Sequence, residues 1–95
     1  MYKRGDKKRI YQLIEMYLSG KITTTDFCDE YYYSYDMELN NLSLTKQERL
    51  YLDKLGKITS RFSEYKEDHL LDPKAFSTTK EVYEIVLEVK NKLSL

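Results

Sequence analysis

The sequence predicts an all-α protein, an antiparallel four-helix bundle made by a single domain over residues 1–95. Three observations carry this expectation. Apolar residues recur at helical spacing in four separate segments. One proline and three glycines among 95 residues leave those segments long and uninterrupted. No stretch alternates apolar and polar residues for long enough to build a sheet, and short links between helices favour antiparallel neighbours.

The first helix is expected from Lys7 to Ser19. Ile10, Leu13, Ile14, Tyr17 and Leu18 share one face, Asp6 can cap the start, and Gly20 is a natural stop. Thr23, Thr24 or Thr25 can cap the second helix, which carries DFCDEYYYSYDME, residues 26–38. At about 100° per residue, Phe27, Cys28, Tyr31, Tyr32, Tyr35, Leu39 and Leu42 gather on one side of it. Asp26, Asp29, Glu30, Tyr33, Asp36 and Met37 gather on the other.

Thr45 and Glu48 have capping-box spacing and open a third helix that buries Leu52, Leu55, Thr59 and Phe62, with Tyr51, Ile58 and Tyr65 at its flanks. Gly56 in its middle implies a close helix approach or a kink. SEYKEDHLLDPKAFS follows as the one long irregular connection, with Asp72 before Pro73 disfavouring helix. Thr78 and Glu81 repeat the capping-box spacing, and the last helix buries Val82, Ile85, Val86, Val89 and Leu93.

Several chemistries lack their residues. One histidine, His69, and one cysteine, Cys28, exclude a histidine-rich or thiolate metal cluster. Asp26, Asp29 and Glu30 lack the loop spacing of a calcium site. No glycine-rich phosphate loop follows a strand, and nothing near His69 marks an activated nucleophile. The expectation is therefore a protein that is not an enzyme and uses no cofactor. A lone cysteine fits a reducing cytosol. No run of about 18 apolar residues exists to span a membrane, and Gln12 and Glu15 interrupt the N-terminal apolar residues, which argues against a signal peptide.

The charge is zero in total but segregated along the chain. Residues 1–21 hold six bases against two acids, and residues 22–45 hold five acids and no base. Residues 46–61 are again basic, and residues 62–72 carry Glu64, Glu67, Asp68 and Asp72 against Lys66 alone. Acids in the first turn of a helix oppose its dipole favourably. Asp36 and Glu38 sit too late for that, and like charges three or four residues apart repel. A single-sign acidic patch speeds encounter with a basic partner and rejects nucleic acid, while Tyr33 and Met37 supply anchors within it. The N-terminal KRGDKKR reads as a flexible, solvated start; its alternative use is to bind nucleic-acid phosphates through Lys3, Arg4, Lys7, Lys8 and Arg9. Self-association through exposed tyrosines is a third possibility.

The stretch LIEMYLSGKITTTDFCDEYYYSYD resembles the opening of the colicin-D-type immunity proteins. Tyr17 to Thr23 match an apolar helix ending in a phrase like FLxGKIS, and Asp26, Phe27 and Tyr31 match the xEFxxxY that follows. LDKLGKITSRFSEYKED is similar to the family's third helix and acidic tail, and EVYEIVLEVKNKL to its closing helix. The resemblance implies a cytoplasmic four-helix bundle that neutralises a cognate toxin. Such toxins are often tRNA-cleaving nuclease domains of colicins or of contact-dependent growth inhibition systems, and an acidic surface would occupy the basic cleft that grips RNA. It places Glu64, Glu67 and Asp68 in that role. The acid-and-tyrosine density of the second helix and the long basic N-terminus depart from the family pattern. Together the expected toxin-facing residues are Asp26, Asp29, Glu30, Tyr33, Asp36, Met37, Glu64, Glu67, Asp68 and Asp72, with a protein partner, no nucleic acid bound directly, no membrane, and a monomer or weak homo-oligomer.

Overall fold

The computed structural model describes residues 2–38 and 44–94. Among them the chain is all-α, with no strand: α1 spans Lys7–Leu18, α2 Thr24–Tyr31, a π-helical segment Tyr32–Glu38, α3 Lys46–Thr59, α4 Lys66–Leu71 and α5 Thr79–Lys92. None of these helices is long and apolar enough to cross a membrane.

The ends of the helices follow from side chains that satisfy otherwise orphaned backbone groups. Asp6 accepts from the Lys8 amide at 2.9 Å, and Thr23 accepts from the Asp26 amide at 3.1 Å. Thr45 with Glu48 and Thr78 with Glu81 each close a reciprocal capping box. α1 stops where Gly20 turns to a φ of +80°, which lets the Lys21 amide reach back to the Met16 carbonyl at 2.8 Å.

The core forms where the apolar stripes of α1, α2, α3 and α5 meet, α5 packing on the other three. Its spine is aromatic. Tyr17, Phe27, Tyr31 and Tyr35 stack in succession with ring centroids 4.9, 5.8 and 5.3 Å apart. Each such pair contributes about 0.5–1.5 kcal/mol beyond its buried area. The phenols are satisfied rather than stranded: Tyr17 meets the Thr24 hydroxyl at 3.0 Å, Tyr31 donates to the Leu52 carbonyl at 2.5 Å, and Tyr35 donates to Asp53.

Several expectations need correction. The second helix is not a uniform α-helix: after Tyr31 its turns widen to π geometry, where each amide bonds five residues back. A fixed 100° step therefore fails from there on. Tyr32, which the period sets beside the inward residues and which could either pack inward or line an interface edge, is 49% exposed. Ser34 is fully buried instead, and its hydroxyl has no partner among the described residues. Leu39 and Leu42 lie outside the described residues. α3 ends at Thr59, so Phe62 is half-buried beyond the helix rather than part of its face, and Leu93 is half-buried after α5.

The connection expected to be irregular carries the short helix α4. A parallel bridge between Phe62 and Ser77 pins its two ends, with the Ser77 amide donating to the Arg61 carbonyl at 2.7 Å. Pro73 sits in a turn where Asp72 accepts from the amides of Lys74 and Ala75 at 3.0 and 3.2 Å.

Gly56 lies in an unbroken α3, and a methyl group there would meet Tyr31 and Tyr35 ring carbons at 3.7 and 4.0 Å, ordinary contact distances. Gly56→Ala is therefore expected to stabilise the fold by up to about 1 kcal/mol through helix propensity. Urea unfolding measures this, and a lower midpoint would show that the rings cannot accept the methyl group.

Candidate functional site

A groove of about 510 Å³ opens between α2, with its π-helical continuation, and the chain that leaves α3. One wall presents Asp29 and Asp36, the other Glu64 and Asp68. The two acidic zones of the sequence thus line one groove. Tyr32 and Tyr33 belong to the first wall, and Phe62, Tyr65 and Phe76 to the second, while the buried Cys28 of α2 also lines the groove. Among the described residues, no lysine, arginine or histidine lines it.

Hydrogen bonds fix the walls relative to each other. The Thr25 hydroxyl donates to Glu64 Oε2 at 2.9 Å, which ties the first turn of α2 to the segment after α3. Ser63 Oγ donates to Asp68 Oδ2 at 2.5 Å and accepts from the Tyr65 amide at 3.1 Å. His69 Nε2 sits 2.8 Å from the Ser63 carbonyl, and its ring meets Phe76 edge-on at 6.2 Å. Ser63, Asp68 and His69 therefore converge without the connectivity of a catalytic triad. A carbonyl only accepts, so Nε2 carries a proton, and the serine hydroxyl is turned to the aspartate rather than to the imidazole.

Among the described residues, ion pairs form on Glu15, Glu30, Glu48, Glu84 and Glu88, none of them a groove carboxylate. Charges of one sign held in a partly apolar concavity concentrate the potential. At its π-helical end, burial first and then the nearby Asp53 raise the Asp36 carboxyl above its ordinary value. Cys28 is pushed up to about 12 by burial and by Asp29, so it is a neutral thiol and no nucleophile at neutral pH. Among the described residues no group of three or more histidine, cysteine or acidic side chains is arranged to hold a metal ion.

Of the residues singled out in the sequence, Asp29, Tyr33, Asp36, Glu64 and Asp68 line this groove. Met37 is 63% exposed outside it, Glu67 is exposed on α4, and Asp72 is exposed in the Pro73 turn. Asp26 lies at the first turn of α2 and lines a smaller, adjoining cleft of about 380 Å³ that shares Asp29 and Tyr33 with the groove. Glu30, expected among the toxin-facing residues, is already engaged within the chain. Arg4 holds it through Nε and Nη2 at 3.3 and 3.0 Å, and Arg9 Nη2 holds it at 3.2 Å.

That clamp also corrects the flexible basic start. Arg9 is 8% exposed, and Lys7 pairs with Glu48. Residues 26–38 contain no base, but the fold brings two to them from the N-terminal segment. Tyr32, Tyr65, Phe62 and Phe76 are groove residues that the helical pattern did not single out as functional. Their available signal is that FSEYKED mixes rings with acids much as DFCDEYYYSYD does. Compared with protein-family models, curated proteins and solved structures, the chain matches none.

Opposite pH signatures are expected from two carboxylates. The hydrogen bond from Arg4, more than that from Arg9 or either charge, lowers the Glu30 carboxyl against a smaller upward effect of burial. Its folded value lies below the unfolded one, so its contribution is full above about pH 4.3 and is lost as pH falls through the folded value. Glu30→Gln should flatten the decline of thermal stability from about pH 5 to pH 3. Asp36, raised in the fold, costs stability when ionised, so Asp36→Asn should raise the melting temperature at neutral pH. Unchanged pH profiles in both variants would contradict these assignments.

Proposed function

We propose that this chain is an immunity protein of the colicin D type, which binds and neutralises a basic toxin domain in the cytoplasm and catalyses nothing itself. The toxin is a tRNA-cleaving nuclease, and the acidic groove enters the cleft with which that enzyme grips RNA. The observation that carries this reading is the groove itself: Asp29, Asp36, Glu64 and Asp68 face one concavity without a base among its lining residues. The intramolecular pairs elsewhere on the surface make this segregation specific rather than a general excess of acid.

In this reading α1, α2 with its π-helical continuation, α3 and α5 are the four members of an antiparallel bundle, and α4 belongs to an excursion that builds one wall of the groove. The rings supply what charge alone lacks. Exposed ion pairs each contribute only about 0–1 kcal/mol, whereas tyrosines that bury area between charged groups act as interface anchors. Tyr32, Tyr33 and Tyr65, 49, 42 and 62% exposed, stand ready for that role.

The alternative drawn from the basic N-terminus, binding of nucleic acid, is less well supported. Arg4 and Arg9 pair with Glu30 and Lys7 with Glu48, so a phosphate would have to compete with a carboxylate for three of the five bases.

Reversing Asp29, Asp36, Glu64 and Asp68 to lysine together is expected to abolish protection of cells carrying the cognate toxin. At roughly 1 kcal/mol per pair, toxin affinity should fall by about two to three orders of magnitude. Wild-type affinity should weaken steeply with salt. The toxin is sought in the adjoining reading frame, and undiminished protection by the quadruple variant would overturn the acidic-groove mechanism.

A further inference from the structure

Arg4 occupies the crest of the acidic face in a particular way. Its guanidinium forms two hydrogen bonds to the Glu30 carboxylate, 3.3 and 3.0 Å, and lies 4.9 Å over the centre of the Tyr33 ring. A carboxylate fork beside an aromatic face is the combination that selects a planar guanidinium over an ammonium. Tyr33 and Asp29 each line both the groove and the smaller adjoining cleft, so this crest is continuous with the candidate docking surface.

The two arginines on Glu30 are not equivalent. Arg9 comes from within α1 with its side chain 10% exposed and is a fixture of the fold; Arg4 precedes the helix with its side chain 42% exposed. The smaller cleft is lined by three carboxylates, Asp26, Asp29 and Glu30, against Arg9 as its one base. With Arg9 in place, the described lining still carries more acid than base, and Arg4 reaches Glu30 from outside the cleft.

We infer that Glu30 and Tyr33 form a guanidinium-binding subsite whose resident is Arg4, and that an arginine side chain of the basic partner displaces Arg4 on docking. The inference rests on the reading of the groove as a surface for a basic partner and adds the kind of side chain it takes and where. Arg9 remains on Glu30 during the exchange, so the carboxylate is never left without a donor. The N-terminal segment is then a competitor for the partner, and removing its arginine strengthens binding.

The test uses the full chain and two fluorescent probes of equal charge, an arginine-rich and a lysine-rich peptide, titrated by fluorescence anisotropy at low salt. Arg4→Ala, with Arg4→Gln as a second variant and thermal unfolding to confirm that both fold, should bind the arginine probe about two- to fivefold more tightly, the scale of an exposed cation–π contact. The lysine probe should gain less. Adding Tyr33→Leu to Arg4→Ala should remove the gain. Unchanged or weaker arginine-probe binding in both Arg4 variants would overturn the subsite, as would an equal gain for both peptides. Asp29→Asn with Asp36→Asn separately tests the groove: weakened binding there with no effect of Arg4 retains the groove and rejects the subsite. A gain at Arg4 with no effect of the groove pair does the reverse, and absence of binding by every variant rejects both.

Discussion

The stacked column of Tyr17, Phe27, Tyr31 and Tyr35 is the constraint on which the rest of the molecule depends. A buried phenol must find an acceptor or forfeit the hydrogen bonds that it made with water. Tyr31 finds the Leu52 carbonyl and Tyr35 finds Asp53, both on α3. Two such bonds set how far α2 slides along α3 and how far it rotates about its own axis. The rotation that turns these rings inward is the one that turns Asp29, Tyr33 and Asp36 outward toward the groove. Packing chemistry on one face of the helix therefore sets the electrostatics of the other.

The change from α to π turns after Tyr31 serves both faces. It leaves Tyr35 in the column while Tyr32 and Tyr33 stand at the surface with ring centroids 5.7 Å apart. The exchange has costs within the free protein: Ser34 is buried without a hydrogen bond, and Asp36 ionises in partly desolvated surroundings near Asp53. π-helical turns are energetically marginal and recur at functional sites. Here they form part of one wall of the groove, at some expense of stability.

Much of the fold was legible because its signals are local. Both capping boxes, the Asp6 cap and the Gly20 stop depend on residues within a few positions of each other, and they fall where the spacing put them. The inward set Phe27, Cys28, Tyr31 and Tyr35 follows from helical period and is buried. The departures are non-local or depend on turn type. The exposure of Tyr32 and the burial of Ser34 accompany a widened turn that no sequence period announces. α4 carries no buried residue and so leaves no apolar stripe to detect. The site was legible as two acidic segments, but their meeting in one groove depends on the Thr25–Glu64 bond between elements far apart in sequence. The clamp of Arg4 and Arg9 on Glu30 has the same origin, since charge counts by segment do not reveal which segments cross.

The bridge between Phe62 and Ser77 has a consequence for how such a surface can diversify. The excursion between them leaves and re-enters the helical body at a single pinned point. Inserting or exchanging residues inside a closed excursion adds only a slowly growing entropy, about 0.6 kcal/mol for each doubling of length. The groove wall bearing Glu64, Tyr65 and Asp68 is thus a cassette that substitution can rewrite while the aromatic column and the capped helices stay as they are. The opposite wall has no such latitude, because its helix is also part of the core. One side of the groove is open to rewriting by substitution, and the other is held in register by the core that its helix helps to build.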